Sequence, residues 1–178
     1  MTKASADGMT TGVEPWWPAV LRFTLVFFAF QVLYAWSEGT AVERFLIESV
    51  TVRSAVLLIA HIDPASAVLA IGHEIIAPCG SLSILNGCDG IEAALLLVAA
   101  FIAVPMSIGC RLLGILAALA FVYLINQVRV VVLFFVFCRA RDIFPLLHGY
   151  VAPTSIIIAC CVFFLVWLNW CQARIPRD

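Results

Sequence analysis

The stretch IEAALLLVAAFIAVPMSIG, residues 91–109, carries Glu92 as its one charge and Pro105 as its one helix breaker. A helix of about 20 residues covers the roughly 30 Å of a bilayer's hydrocarbon core, so this run reads as a membrane crossing. Directly before it stands Asn86-Gly87-Cys88-Asp89-Gly90, a polar, glycine-flanked cysteine segment. A thiol between two glycines at the mouth of an apolar helix is an accessible thiol in a fixed place, and it invites a chemical reading.

Composition extends the membrane reading to the whole chain. Hydrophobic residues make up 64% and charged residues 12%, with a mean hydropathy of +1.10, against about 25% charged residues in soluble domains. The expected fold is all-α, a multi-pass helical bundle in the membrane. A formal net charge of -1 without a basic tract leaves no footprint for nucleic acid, so the bilayer is the expected partner.

Residues 1–15 read as a disordered cytoplasmic tail, 16–171 as one transmembrane domain and 172–178 as a second cytoplasmic tail. Trp16-Trp17-Pro18 looks like an interfacial anchor at a helix start. Residues 19–36 form the first crossing, with Arg22 snorkelling to the near interface. Between residues 40 and 60, Glu43, Arg44 and Glu48 share an arc of about 140° on a helix, which Arg53 widens to about 220°. An interfacial helix with partial membrane contact fits that pattern. Asp63-Pro64 breaks the chain, and Pro78-Cys79-Gly80 signals a turn. Residues 37–90 are thus a structured segment on one membrane face.

Arg111 marks a tight turn after the second crossing. The apolar segment 112–137 would reach about 39 Å as a helix, so Arg129 can lie near the far interface. A last crossing covers about 151–170. Four crossings place both termini on one face, taken as the cytoplasm. Arg111, Arg174 and Arg177 agree with this under the positive-inside rule, whereas Arg44, Arg53, Arg139 and Arg141 oppose it. Convergence selects the topology: it brings Cys88, Arg129 and His148 to the same face from three places in the chain.

The seven cysteines do not suggest a disulfide scaffold. Cys110, Cys138, Cys160, Cys161 and Cys171 lie in or beside apolar runs, where a cysteine behaves as a small hydrophobe. Cys79 and Cys88 are the two in polar surroundings, and pairing them would remove Cys88 as a nucleophile. The absence of any CxxC weakens a zinc or thioredoxin-like reading. His61 and His73 lack metal-ligand spacing, and no cofactor is expected.

A thiol with a cation beside it loses its proton more readily, and a histidine can accept that proton and later return it to a departing amine. The arginine fork can stabilise an oxyanion. Cys88, His148 and Arg129 together would suffice for acyl transfer through a thioester. Asn126 reads first as a helix–helix hydrogen bond. Glu92 could orient His148 or pair with Arg129, and Asp89 is the other carboxylate with which Arg129 could pair.

These residues carry a resemblance. The sequence resembles the exosortase/archaeosortase family of membrane cysteine transpeptidases, most like the exosortase H subgroup, over roughly residues 16–171. Asn86-Gly87-Cys88-Asp89-Gly90 resembles the segment around the family nucleophile, and Arg111-Leu112-Leu113-Gly114 the start of its next helix. Asn126-Gln127-Val128-Arg129-Val130 with Leu133-Phe134 resembles its asparagine-to-arginine segment, and His148 its late histidine. The resemblance implies Cys88 as nucleophile, with Arg129 and His148 completing the catalytic set. It implies an inner-membrane enzyme whose site faces the extracytoplasmic side. Its partners would be exported proteins with a C-terminal sorting signal of short motif, transmembrane helix and basic tail, and a lipid-linked or other cell-surface acceptor. Asp89 departs from the small or uncharged residue of the family pattern, and its charge would oppose thiolate formation if it pointed inward.

Two other function classes compete. A membrane thiol-disulfide oxidoreductase would use Cys79 and Cys88 as a redox pair. A small transporter or structural partner would use Arg129 as an ion-path or pairing group.

Overall fold

The structure, a computed structural model, describes residues 16–85 and 87–173. The tail expectations for residues 1–15 and 174–178, and Asn86 of the cysteine segment, lie outside the described residues. The chain is a multi-pass helical membrane protein. Among the described residues, five long helices carry it: α1 Trp17–Trp36, α2 Ala41–Ile62, α3 Ile91–Ala103, α4 Ile108–Arg139 and α5 Phe144–Gln172. Three short strands, β1 Leu69–Ile71, β2 Glu74–Ala77 and β3 Gly80–Ser83, form an antiparallel meander between α2 and α3.

Helix α1 starts as expected, with Trp16 at the cap and Pro18 in the first turn. It stops where Ser37 Oγ donates to the Tyr34 carbonyl, 2.7 Å, and Gly39 takes a left-handed φ of +74°. Thr40 then caps α2, its hydroxyl accepting from Glu43 N at 3.4 Å while the Glu43 carboxylate accepts from Gly39 N. That reciprocal pair satisfies two backbone donors at a helix start.

Residues 45–52 of α2 wind as a π-helix. Thr51 Oγ1 donates back to the Leu46 carbonyl, 3.1 Å, and Gln127 of α4 reaches in to donate to the Val50 carbonyl, 3.3 Å. Thirteen residues later Asp63 meets Arg139 in an ion pair at 3.3 Å. The two contacts are separated by about 20 Å along α2 and about 18 Å along α4, so the helices run parallel there. From Ile108 to Arg129, α4 already covers about 32 Å, a full hydrocarbon core. Although α2 is apolar and long enough to cross a membrane, its second half lies alongside the part of α4 beyond that length.

The molecule therefore has two cores. In the bundle, Leu97 and Phe101 of α3 meet Ala118 and Val122 of α4 and Ile156 and Cys160 of α5. In the cap, Ile47, Val52, Ala55 and Ile59 of α2 and Ile75 and Leu82 of the meander enclose Val130, Val131 and Phe134 of α4. The meander pairs Ile71 with Glu74 across Gly72-His73, and Ala77 with Gly80 across Pro78-Cys79. The turn expected at residues 78–80 is the second of these.

The crossing expected at 91–109 is shorter as a helix. Pro105 disfavours helical backbone at the residue before it, and Val104 is extended with ψ 134°. Thirteen helical residues cover about 20 Å, less than the roughly 30 Å slab, and residues 104–107 turn the chain so that Arg111 lies back beside Phe101. Arg111 is not itself the turn but a residue of α4. Its guanidinium donates to the carbonyls of Phe101, 3.2 Å, and Val104, 3.3 Å, where α3 runs out of intrahelical donors. One turn on, Gly114 lets α4 sit against α3 and α5: a Cβ there would fall 2.6 Å from Phe101 and 2.7 Å from Trp167. Trp167 closes this end by donating to the Cys110 carbonyl, 3.1 Å.

Disulfides correct the reading of the cysteines. Cys79 is bonded to Cys138, fastening the second hairpin turn to the end of α4, and Cys110 is bonded to Cys171 at the opposite end of the bundle. Cys79 does not pair with Cys88, which stays a free thiol with Cys160 and Cys161. Sequence context conceals these bonds because each joins positions about sixty residues apart, a proximity created only by helix packing.

Candidate active site

The cysteine segment sits between the cap and the bundle. Beyond β3, Ile84 N donates to the His73 carbonyl at 2.8 Å, extending the meander, and Cys88 N then donates to the Leu85 carbonyl at 2.9 Å, turning the chain. Gly90 has φ +82°, and a Cβ on it would lie 2.9 Å from Asn126 Cγ, so this position requires glycine for both conformation and space. Asn126, buried in α4, donates from Nδ2 to the Cys88 carbonyl, 3.3 Å. Its bond is to the cysteine loop and not to a neighbouring helix, which corrects the sequence expectation.

Cys88 Sγ lies 3.9 Å from His148 Nε2 and 3.9 Å from Arg129 Nη2. The three side chains arrive from the loop before α3, from late in α4 and from the second turn of α5. Arg129 Nη1 donates to the Gly87 carbonyl, 3.4 Å, so the guanidinium bridges the loop backbone and the thiol. His148 lies in a π-helical turn, residues 147–151, and stacks on Phe144 at a centroid distance of 5.3 Å and an interplanar angle of 10°. Among the described residues, Arg129 Nε and His148 Nδ1 are buried without a hydrogen-bond partner.

Burial pushes the Cys88 thiol above its ordinary pKa. Arg129 opposes that rise, while the Asp89 and Glu92 carboxylates add to it. This direction favours the protonated thiol, so forming a thiolate here would need a base to take the proton. His148 Nε2 is the group positioned to do so.

Asp89 is buried with its carboxylate turned toward other elements. Oδ1 accepts from Ile91 N, 3.1 Å, at the start of α3, and Oδ2 accepts from the Tyr34 hydroxyl of α1. Nothing in the sequence around Tyr34 points to this contact, which spans 55 positions. Glu92 stands exposed on the first turn of α3 and, among the described residues, bonds neither Arg129 nor His148. Arg129 likewise takes loop groups as partners in place of either carboxylate.

Space opens on both sides of Arg129. A cavity of about 250 Å³ on the bundle side is lined by Phe27, Gln31, Glu92, Leu96, Arg129 and Ile156. A second, about 210 Å³, is lined by Ile125, Arg129, Val132, Leu147 and Ala152 among others. Between β3 and α4 only about 10 Å³ remains beside Cys88 and His148, so the cap closes the thiol from that direction. A larger cavity of about 330 Å³, walled by Glu38, Glu43, Arg44, Glu48 and His73, touches none of the three convergent residues.

This arrangement can deliver a thiolate, a proton carrier and a fixed cation to one point at the end of a membrane bundle. No protein-family model matches the chain, and neither a curated protein nor a solved structure matches it.

Proposed function

We propose that this protein is a membrane-embedded cysteine peptidase or transpeptidase of the exosortase type. It would cleave C-terminal sorting signals of exported proteins through a thioester on Cys88 and pass them to a cell-surface or lipid-linked acceptor. The observation that carries the reading is the meeting of Cys88 Sγ, His148 Nε2 and Arg129 Nη2 within 3.9 Å of the sulfur, from three separate elements. In this proposal the Cys88 end of the bundle faces the extracytoplasmic side of the inner membrane.

The chemistry follows from those positions. His148 Nε2 takes the Cys88 proton as sulfur attacks the scissile carbonyl carbon, and an S–C bond forms while the carbonyl oxygen becomes an oxyanion. Arg129, held by the Gly87 carbonyl, offers donors to that charge. Collapse of the oxyanion breaks the C–N bond, and His148 returns its proton to the departing amine. The acyl group is left on sulfur as a thioester. An amine, hydroxyl or water then attacks it, giving a proton through His148 and restoring the thiol.

A bilayer site suits a substrate that ends in a membrane helix, because packing in the plane of the membrane holds the scissile bond near the interface. The apolar cavities beside Arg129 provide room for such a chain. Intact-mass analysis of the protein co-purified with a sorting-signal substrate tests the intermediate. An adduct on Cys88 that hydroxylamine releases is expected; its absence under conditions where processing proceeds would contradict the thioester.

A further inference from the structure

Tyr34 lies in the first membrane helix, 55 positions from Asp89, yet its hydroxyl donates to the Asp89 carboxylate immediately after the thiol-bearing residue. Asp89 is 7% exposed, and its second oxygen accepts from Ile91 N at the start of α3. Both carboxylate oxygens are thereby committed to groups on α1 and α3, and the Cys88 side chain is left to Arg129 and His148. Helix α1 contributes none of the bundle's fully buried residues, so burial alone gives it no claim on the site. Its packing against α3 brings the phenol to the one acidic side chain adjacent to the sulfur in sequence.

We propose that Tyr34 is a positioning residue for Cys88, tethering the Asp89 carboxylate to α1 and the α3 N-terminus so that its charge is turned from the sulfur. The proposal rests on the reading of Cys88 as a nucleophile. A donated hydrogen bond localises the carboxylate and disperses its charge. Without the phenol, only the Ile91 N–H holds the Asp89 carboxylate, and its second oxygen can swing toward the thiol, where a like charge disfavours the thiolate. The other charged groups facing the sulfur are Arg129 from α4 and Glu92 from α3, and the titratable imidazole of His148 faces it from α5; Glu43 of α2 faces Tyr34. None of these changes in the variants below.

The test follows alkylation of Cys88 by iodoacetamide against pH in the full-length protein in detergent, read by peptide mass spectrometry so that Cys160 and Cys161 do not interfere. This readout needs no substrate. It separates failure of the tether from failure of the peptidase reading, which processing assays on Cys88→Ala decide. Tyr34→Phe removes the hydroxyl alone, and alkylation at pH 7.5 is expected to fall about threefold as the profile moves up by about half a pH unit. Asp89→Asn should move the profile the opposite way. In the Asp89→Asn background, adding Tyr34→Phe should change nothing further. An unchanged profile in Tyr34→Phe overturns the proposal, as does an equal shift when Asp89 is already replaced. Should Tyr34→Phe fail to fold, Tyr34→Leu removes the same hydroxyl; the same upward shift is expected, and an unchanged profile overturns the proposal.

Discussion

Asn126 Nδ2 and the Cys88 carbonyl are 3.3 Å apart, and the side chain that makes this bond also fills the space a Cβ at Gly90 would occupy. One buried amide on α4 thus fixes both the backbone that carries the thiol and the turn that starts α3. Replacing Asn126 by Ala leaves the half-buried Cys88 carbonyl without this donor, at a cost of about 1 kcal/mol. Gly90→Ala combines the clash with a left-handed φ worth about 1–2 kcal/mol. Both variants are expected to unfold at lower temperature in detergent and to lose substrate processing while remaining membrane-inserted.

Arg129 is the cation that counters burial at Cys88. Removing it raises the thiol pKa further, so less thiolate is present at any pH below that value. Arg129→Gln should slow iodoacetamide alkylation of Cys88 by about tenfold at pH 7.5, equivalent to about one pH unit. The rate should recover as pH rises past the new midpoint. Arg129→Lys keeps the charge and should restore the alkylation profile more fully than it restores processing, because lysine lacks the planar fork that spans Gly87 and the sulfur.

The Cys79–Cys138 bond closes a separation of 59 residues, for which loop entropy suggests about 4 kcal/mol. Breaking it with Cys79→Ser and Cys138→Ser should lower the melting temperature of the cap while leaving Cys88 alkylable. Retained processing in the double variant is expected; its abolition, with the protein still folded, would favour a redox role for Cys79.

Cys110 and Cys171 lie at the other end of the bundle. The structure bonds these two to each other, but with Cys88 on the extracytoplasmic side that end faces a compartment where such bonds are reduced, so the pair is expected as two thiols in the cell. Cells lysed directly into N-ethylmaleimide should yield Cys79 and Cys138 unmodified and Cys110 and Cys171 alkylated. The reverse pattern would invert the proposed orientation.

Much of the fold is visible in residue order. Long apolar runs with few charges mark α1, α4 and α5, and Asp63-Pro64 and Pro78-Cys79-Gly80 mark breaks in the chain. The capping pair of Thr40 and Glu43 is readable by spacing but is masked by the charges on α2. The convergence of Cys88, Arg129 and His148 follows from counting crossings, because an antiparallel bundle returns alternate helix ends to the same face. What sequence does not supply is the choice of partners on contact. Arg129 binds the Gly87 carbonyl in preference to the carboxylates of Asp89 and Glu92, Asn126 binds the loop, and Tyr34 reaches Asp89 across the bundle. Such choices depend on side-chain reach after packing, which periodicity does not encode.

The most direct test of the central claim is co-expression of a tagged protein ending in a sorting signal with the wild type and with Cys88→Ala. Immunoblots should show the precursor converted to a shorter form by the wild type and left intact by Cys88→Ala at equal membrane abundance. Equal conversion by both would contradict Cys88 as the nucleophile.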